Sequence, residues 1–203
     1  MERSFLTDAN QTSAFNNNRS PGVSVFRTFA DDRVYSSVGA FKNVSDLYGY
    51  GIGDGQYAVT GRLTGLPVWN PDERYFWHVG GAMSHRDPVN GQVQVRARPN
   101  VRVNPLPFVN VIANTGPLTA SSEDLFGVET AAVYKSLTVQ AEYQAYVVRD
   151  ARVGAGPGLG DVPFQGWYVE GLYFLTGESR PFNPKAAIFG RVVPKRPLAV
   201  ADG

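Results

Sequence analysis

Residues 137–147, LTVQAEYQAYV, alternate without a break. As an extended strand they place Leu137, Val139, Ala141, Tyr143, Ala145 and Val147 on one face and Thr138, Gln140, Glu142, Gln144 and Tyr146 on the other. One face is wholly apolar and the other largely hydrogen-bonding. Residues 56–64 repeat the plan, with Tyr57, Val59, Gly61 and Leu63 opposite Gln56, Ala58, Thr60, Arg62 and Thr64. Over residues 92–104, Val93, Val95, Ala97, Pro99, Val101 and Val103 oppose Gln92, Gln94, Arg96, Arg98, Asn100, Arg102 and Asn104. Pro99 is expected to end or bulge that strand, because it cannot donate to a ladder. Further strands are expected over 22–30, 33–43, 74–86, 107–114, 126–135 and 166–178, and helical periodicity is not convincing anywhere.

The connections alternate in length. Asp31–Asp32 and Lys135–Ser136 read as tight hairpins, whereas 44–55, 115–125 and 150–163 read as long, Gly-rich or polar loops. One short-turn end and one long-loop end is the pattern of an all-β, antiparallel up-and-down barrel. The polar faces are rich in Gln, Thr, Ser and Arg and poor in Lys, which suits a water-filled interior better than the outside of a soluble sandwich. Tyr75, Phe76 and Trp77, Trp167 and Tyr168, and Tyr173 and Phe174 lie near strand ends, where the aromatic girdles of a transmembrane barrel sit. A second architecture shares the pattern: a soluble β-sandwich with those aromatics in its core, binding carbohydrate or protein through the long loops.

Composition narrows the chemistry more than the fold. Of 203 residues, 22 are Gly and 14 Pro, a turn-rich balance that fits many short elements. The formal net charge of +1 gives no general attraction to nucleic acid, so a charged partner must be recognised locally. The absence of cysteine removes disulfides, thiolate nucleophiles and Cys-based metal sites. No run of eighteen apolar residues is present, which excludes a membrane-spanning helix but not spanning strands of about 9–11 residues. The first twenty residues contain no signal-type apolar segment.

Catalysis finds little support. His78 and His85 are an odd number of residues apart and so point to opposite faces of one strand, which spoils a shared metal site. Glu129, Glu142 and Glu170 could form an acid–base pair, but periodic placement on polar faces explains them with fewer assumptions. The glycine strings at 49–55 and 154–160 do not lead from a strand into a helix, so they read as loops rather than phosphate cradles. No cofactor or metal is expected. Passage of anions needs fixed positive charge that releases what it binds, and guanidinium groups along a lumen supply it. Arg62, Arg86, Arg96, Arg98 and Arg102 fall on polar faces and form a candidate track. Equally, the arginines could pair with Glu129, Glu142 and Glu170, giving a charge-balanced interior in which Gln140 and Gln144 are further lumen-facing polar residues.

Trp167 to Arg180, WYVEGLYFLTGESR, followed by Phe189-Gly190-Arg191-Val192 and Pro194, resembles the C-terminal half of the phosphate-selective porin O and P family of Gram-negative outer membranes. Matching pieces occur in the same order at Met1–Arg3, 19–23, 59–63, 96–99, 114–116 and 140–143, and YFLTGE is the most specific. The resemblance implies a sixteen-stranded transmembrane barrel, usually trimeric, embedded in outer-membrane lipid and passing small inorganic anions, in some members phosphate or polyphosphate. It does not transfer a phosphate-binding set residue by residue, because the matching motifs are barrel framework. With about eight to ten strand candidates, the chain is expected to be one interior segment of such a barrel over residues 1–203, lacking an N-terminal signal, the early strands and the last C-terminal strands. A barrel occluded by a plug and built around a ligand is a further variant of the same architecture.

Overall fold

The computed structural model describes residues 20–44, 52–97 and 113–195. Its elements, in chain order, are β1 (Gly22–Phe29), β2 (Val34–Val44), β3 (Ile52–Asn70), β4 (Tyr75–Arg86), a 3-10 turn (Val89–Gly91), β5 (Gln92–Val93), β6 (Arg96–Ala97), β7 (Ala113–Asn114), β8 (Leu118–Thr119), β9 (Ser122–Tyr134), β10 (Leu137–Arg152), β11 (Gly158–Tyr173), β12 (Phe182–Asn183) and β13 (Ile188–Phe189). The seven long strands form an antiparallel meander, β1-β2-β3-β4-β9-β10-β11, with β8 and β5 added beside the far end of β10. This is an all-β, up-and-down fold. Among the described residues the strands do not close on themselves, and β1 and β11 each pair along one edge.

Alternation fixes which side of the sheet is covered, and the polar side is the covered one. On β10, Thr138, Gln140, Glu142 and Gln144 are buried, while Leu137, Val139 and Tyr143 are exposed. The same inversion runs through Thr60, Arg62 and Thr64 on β3, His78, Ser84 and Arg86 on β4, and Glu123 and Glu129 on β9, all buried. A soluble sandwich would press its apolar face against a second sheet. Here Leu63, Met83, Phe126, Val128, Val139, Trp167 and Val169 stand open on the outside, and no second sheet packs on them among the described residues.

The open face is a band with two different edges. Toward the short turns lie Tyr134 and Tyr173, both opposite Leu137, and Trp77, opposite Ala132 two positions along β9. At the other end charges cross four strands in series: His85 Nδ1 meets Asp124 Oδ1 at 2.7 Å, Arg149 Nε meets Asp124 Oδ2 at 2.7 Å, and Arg149 Nη1 meets Asp161 Oδ2 at 2.6 Å. From Tyr134 to Asp124 is about ten steps of roughly 3.3 Å, and a strand tilt of about 40° makes the band about 25 Å tall, the apolar height of a membrane barrel. The aromatic side chains at one limit suit a water–lipid boundary, and the paired charges at the other mark where the apolar band gives way to water.

Several expected boundaries move. The expected loop over 150–163 is mostly strand, because β10 runs on to Arg152 and β11 starts at Gly158. Pro163 is tolerated there because β11 lies at the sheet edge and its missing donor breaks no inner ladder. The strand expected over 166–178 therefore starts earlier and stops at Tyr173. The expected loop over 115–125 contains β8 and the start of β9, and β3 begins inside the loop expected at 44–55. Over 92–104 the described part is not one strand but two short ones, β5 and β6, while residues 98–104 lie outside the described residues, as does most of the strand expected at 107–114. The turn at Asp31–Asp32 forms as expected, with left-handed φ at both residues and Thr28 Oγ1 donating to Asp32 Oδ1 at 2.5 Å.

One bulge prepares the covered face. Between Gly65 and Val68, β3 has one residue more than β4, so Leu66 and Trp69 both turn inward. The carbonyls it releases are taken by Arg33, whose Nη2 donates to Leu66 O at 3.0 Å and Pro67 O at 2.8 Å.

Candidate functional site

Two segments cover the polar face, one from each end. From the long-loop end, residues 88–97 and 114–121 fold over β9 and β10, and Val93 and Val95 pack against Leu125, Tyr146, Val148 and Ala151. From the short-turn end, residues 174–195 leave β11 and run back across the strands. Their order of contacts traces the path. Arg180 Nη1 donates to Gln140 Oε1 on β10 at 2.6 Å, the Phe182 ring lies 5.1 Å from those of Phe76 and His78 on β4, Arg62 Nη2 on β3 donates to Ala187 O at 3.0 Å, and Lys185 Nζ reaches Asp32 Oδ2 at 3.8 Å. The segment is thus a chord across nearly the whole width of the sheet.

Its local sequence explains the shape. Asn183 Oδ1 accepts the Lys185 N–H at 3.1 Å and turns the chain after Pro184, so that β12 and β13 pair as a small hairpin. Phe182 and Phe189, one on each arm, enter an aromatic cluster with Trp69 and Phe76 over Leu66 and Val133. The ends are held by Glu178, which accepts hydrogen bonds from Thr176 Oγ1 and, at 2.7 Å, from the Lys195 backbone N–H. Those two hydrogen bonds keep the Glu178 carboxyl below its ordinary value.

Beneath the hairpin lies an ionic cluster. Glu129 Oε1 accepts from Arg62 Nη2 at 2.5 Å and stands 2.9 Å from His78 Nε2, and all three side chains are almost wholly buried. Gly80 makes the space: a Cβ there would fall 2.6 Å from Glu129 Oε1 and 2.9 Å from Thr64 Cγ2. A second cluster sits nearer the long loops, where the Tyr146 hydroxyl donates to Glu123 Oε2, Arg86 lies within electrostatic reach of that carboxylate, and Arg86 Nε donates to Ser84 Oγ at 3.1 Å.

The structure therefore separates the sequence candidates. Arg62 and Arg86 are on the buried polar face, each beside a glutamate, the arrangement of a charge-balanced interior. Glu129 and Glu142 are directly opposite in register, Gln140 faces Tyr168 through a 3.2 Å hydrogen bond, and Gln144 is buried alongside. Glu170 has the same facing, opposite Gln140, but is exposed on the edge strand. Arg96 is exposed in β6, donating to Gln94 Oε1 rather than continuing a strand, and Arg98 and Arg102 lie outside the described residues. His78 and His85 do face opposite sides. Sequence reasoning passed over Arg180. Its guanidinium lies 3.7 Å over the Phe189 ring, burial pulls it below its ordinary value while Glu170 opposes the shift, and it stays charged. The available signal was the pair of aromatics, Phe182 and Phe189, in a short stretch that also carries Pro181, Pro184 and Pro194.

Comparison with known families gives one match. The family model described as phosphate-selective porin O and P covers residues 1–198. A search of curated proteins finds no match.

Two consequences can be measured. Glu129→Ala leaves the Arg62 guanidinium buried with a carbonyl alone, so urea unfolding of the protein in lipid should show a loss of about 3–5 kcal/mol; Gly80→Ala should lose stability in the same direction. For Glu178 the lowered value of the folded state means its contribution is complete above the ordinary carboxyl range, about 4.3, and is lost as pH falls through the folded value. An environment-sensitive dye on Ala186→Cys should report no change between about pH 8 and pH 6 and release of the segment only below the ordinary carboxyl range. Release near neutrality would show that Glu178 does not hold the segment.

Proposed function

The chain belongs to the phosphate-selective porin O and P family, and from that premise we propose that it forms part of the wall of a water-filled passage through which small inorganic anions, inorganic phosphate among them, diffuse down their gradient. The family is one of bacterial outer-membrane porins, channel proteins rather than enzymes, and this chain is an outer-membrane β-barrel protein. The observation that carries the reading is the inversion of the sheet. Its apolar face is open over a lipid-sized band, and its polar face is covered, among the described residues, by the chain's own inward-folded segments.

In this reading the polar face lines the lumen, and the chord of residues 174–195 narrows it from the short-turn end. The wall beneath that chord is neutralised locally by Arg62 and Glu129, so it supports the constriction rather than attracting solute. Selectivity then falls to cations that face the remaining opening. Arg96, Arg98 and Arg102 are proposed to contribute, whereas Arg86, buried beside Glu123, is proposed to balance charge within the wall. Further strands are proposed to pair with the free edges of β1 and β11 and complete the barrel, since an unpaired edge in lipid leaves several kcal/mol per backbone group unmet. The assembly is proposed to be a homotrimer.

Planar-bilayer recordings of the complete protein test this. The reversal potential in a salt gradient should show preference for chloride over potassium, and replacing residues 181–190 by a Gly-Ser linker should raise the single-channel conductance. A cation preference would overturn the anion reading, and an unchanged conductance would remove the chord from the passage.

A further inference from the structure

The inward segment carries a cation, Arg180, that forms no ion pair with the wall among the described residues, although the Glu170 carboxylate on β11 lies within its electrostatic reach. Arg62, by contrast, is ion-paired with Glu129, and Arg86 lies in the field of Glu123. Two contacts fix the Arg180 guanidinium. Nη1 donates to Gln140 Oε1 at 2.6 Å, and the Phe189 ring lies under the guanidinium carbon at 3.7 Å. Gln140 is itself held, 2 % exposed, with its Nε2 donating to the Tyr168 hydroxyl at 3.2 Å. Phe189 is held in turn by the ring of Phe182 at 5.5 Å.

What remains of the fork is a free edge. Nε and Nη2 of Arg180 have no hydrogen-bond partner among the described residues, and the residue is only partly buried, so this edge is open to solvent. Two parallel N–H groups held in one plane match two oxygens of a tetrahedral oxyanion, and a partly desolvated site strengthens that contact. Glu170 faces the same side, directly opposite Gln140, and raises the local negative potential without pairing to Arg180. A neighbouring carboxylate of this kind keeps a bound anion from staying, which a passage requires.

We propose that Arg180, fixed by Gln140 and Phe189, is an anion-contact residue that holds a small tetrahedral oxyanion on the inward segment, with Glu170 as the group that speeds its release. The assignment rests on the anion-passage reading above and adds to it a particular side chain on the segment rather than on the wall.

The test uses the complete protein in planar bilayers, with chloride as the current carrier and inorganic phosphate as the added inhibitor. For the wild type, phosphate should reduce the chloride current at low concentration. Arg180→Gln should weaken that inhibition by about tenfold, the loss of one charge-assisted bidentate contact. Arg180→Lys should recover part of it, since charge returns without the fork, and Glu170→Gln should strengthen it. An opposite sign for the Arg180 and Glu170 variants is not expected of a purely structural role. Each variant is first checked for the heat-dependent gel migration of a folded barrel, and if Arg180→Gln does not fold, Arg180→Lys and Glu170→Gln decide. Unchanged phosphate inhibition in folded Arg180 variants, with an anion-preferring wild type, overturns the assignment alone. A wild type without anion preference overturns the passage reading and the assignment with it.

Discussion

A strand that separates lipid from water must send every second side chain each way, and polar side chains sent inward must find partners beside them or in water. That constraint shapes the whole sheet. On β3, β4, β9 and β10 the inward residues bond laterally: Thr60 meets Ser84 at 2.8 Å, Arg62 meets Glu129, His78 meets Glu129, and Tyr146 meets Glu123. The partners lie on different strands, so the side-chain network reinforces the backbone ladders that already hold the meander. Gly80, which gives up its side chain to admit Glu129, shows how far local sequence is subordinated to that network.

The inward segments follow from the same constraint. A polar wall offers little apolar surface for docking, yet β3 and β4 provide one patch, Leu66, Trp69 and Phe76, made available by the bulge at Gly65–Val68. Phe182 and Phe189 occupy it, each partly buried, so each contributes less than the roughly 1.5–3 kcal/mol of a fully buried aromatic side chain. Around the patch, polar contacts set the angle of the segment: Arg62 to the Ala187 carbonyl, Arg180 to Gln140, and Arg74 Nη1 to the Gly177 carbonyl at 3.1 Å. The apolar anchor supplies adhesion and the polar contacts supply position. In the proposed passage the second matters more, because a displacement of the segment would change the opening it leaves.

Much of the fold was legible because alternation is a local signal. Residues 137–147 declared both faces of β10, and the tight turns at Asp31–Asp32 and Lys135–Ser136 declared their hairpins. The stretch 150–163 reads as a loop because four glycines and two prolines mask its strand character, which only the pairing with β10 reveals: Val147 lies opposite Pro163 and Val148 opposite Val162, and the ladder continues past a bulge to Arg152 opposite Gly158. The site was less legible. That Arg62 neutralises Glu129 depends on β3, β4 and β9 lying side by side, a pairing of residues 67 apart that no local pattern encodes. Arg180 was hidden for another reason: it follows the apolar stretch that marks the family, in a segment whose inward path depends on a bulge more than a hundred positions earlier in the chain.

The central claim is that the apolar face meets lipid and the polar face meets the lumen. Because the chain has no cysteine, single cysteines can be introduced along β10 from Leu137 to Val147 and spin-labelled without background. In a lipid bilayer, labels at Leu137, Val139, Tyr143 and Val147 should collide often with molecular oxygen and rarely with a water-soluble nickel chelate, while labels at the intervening positions should show low oxygen accessibility, giving a period of two. High chelate accessibility at the odd positions would place that face in water and contradict the account.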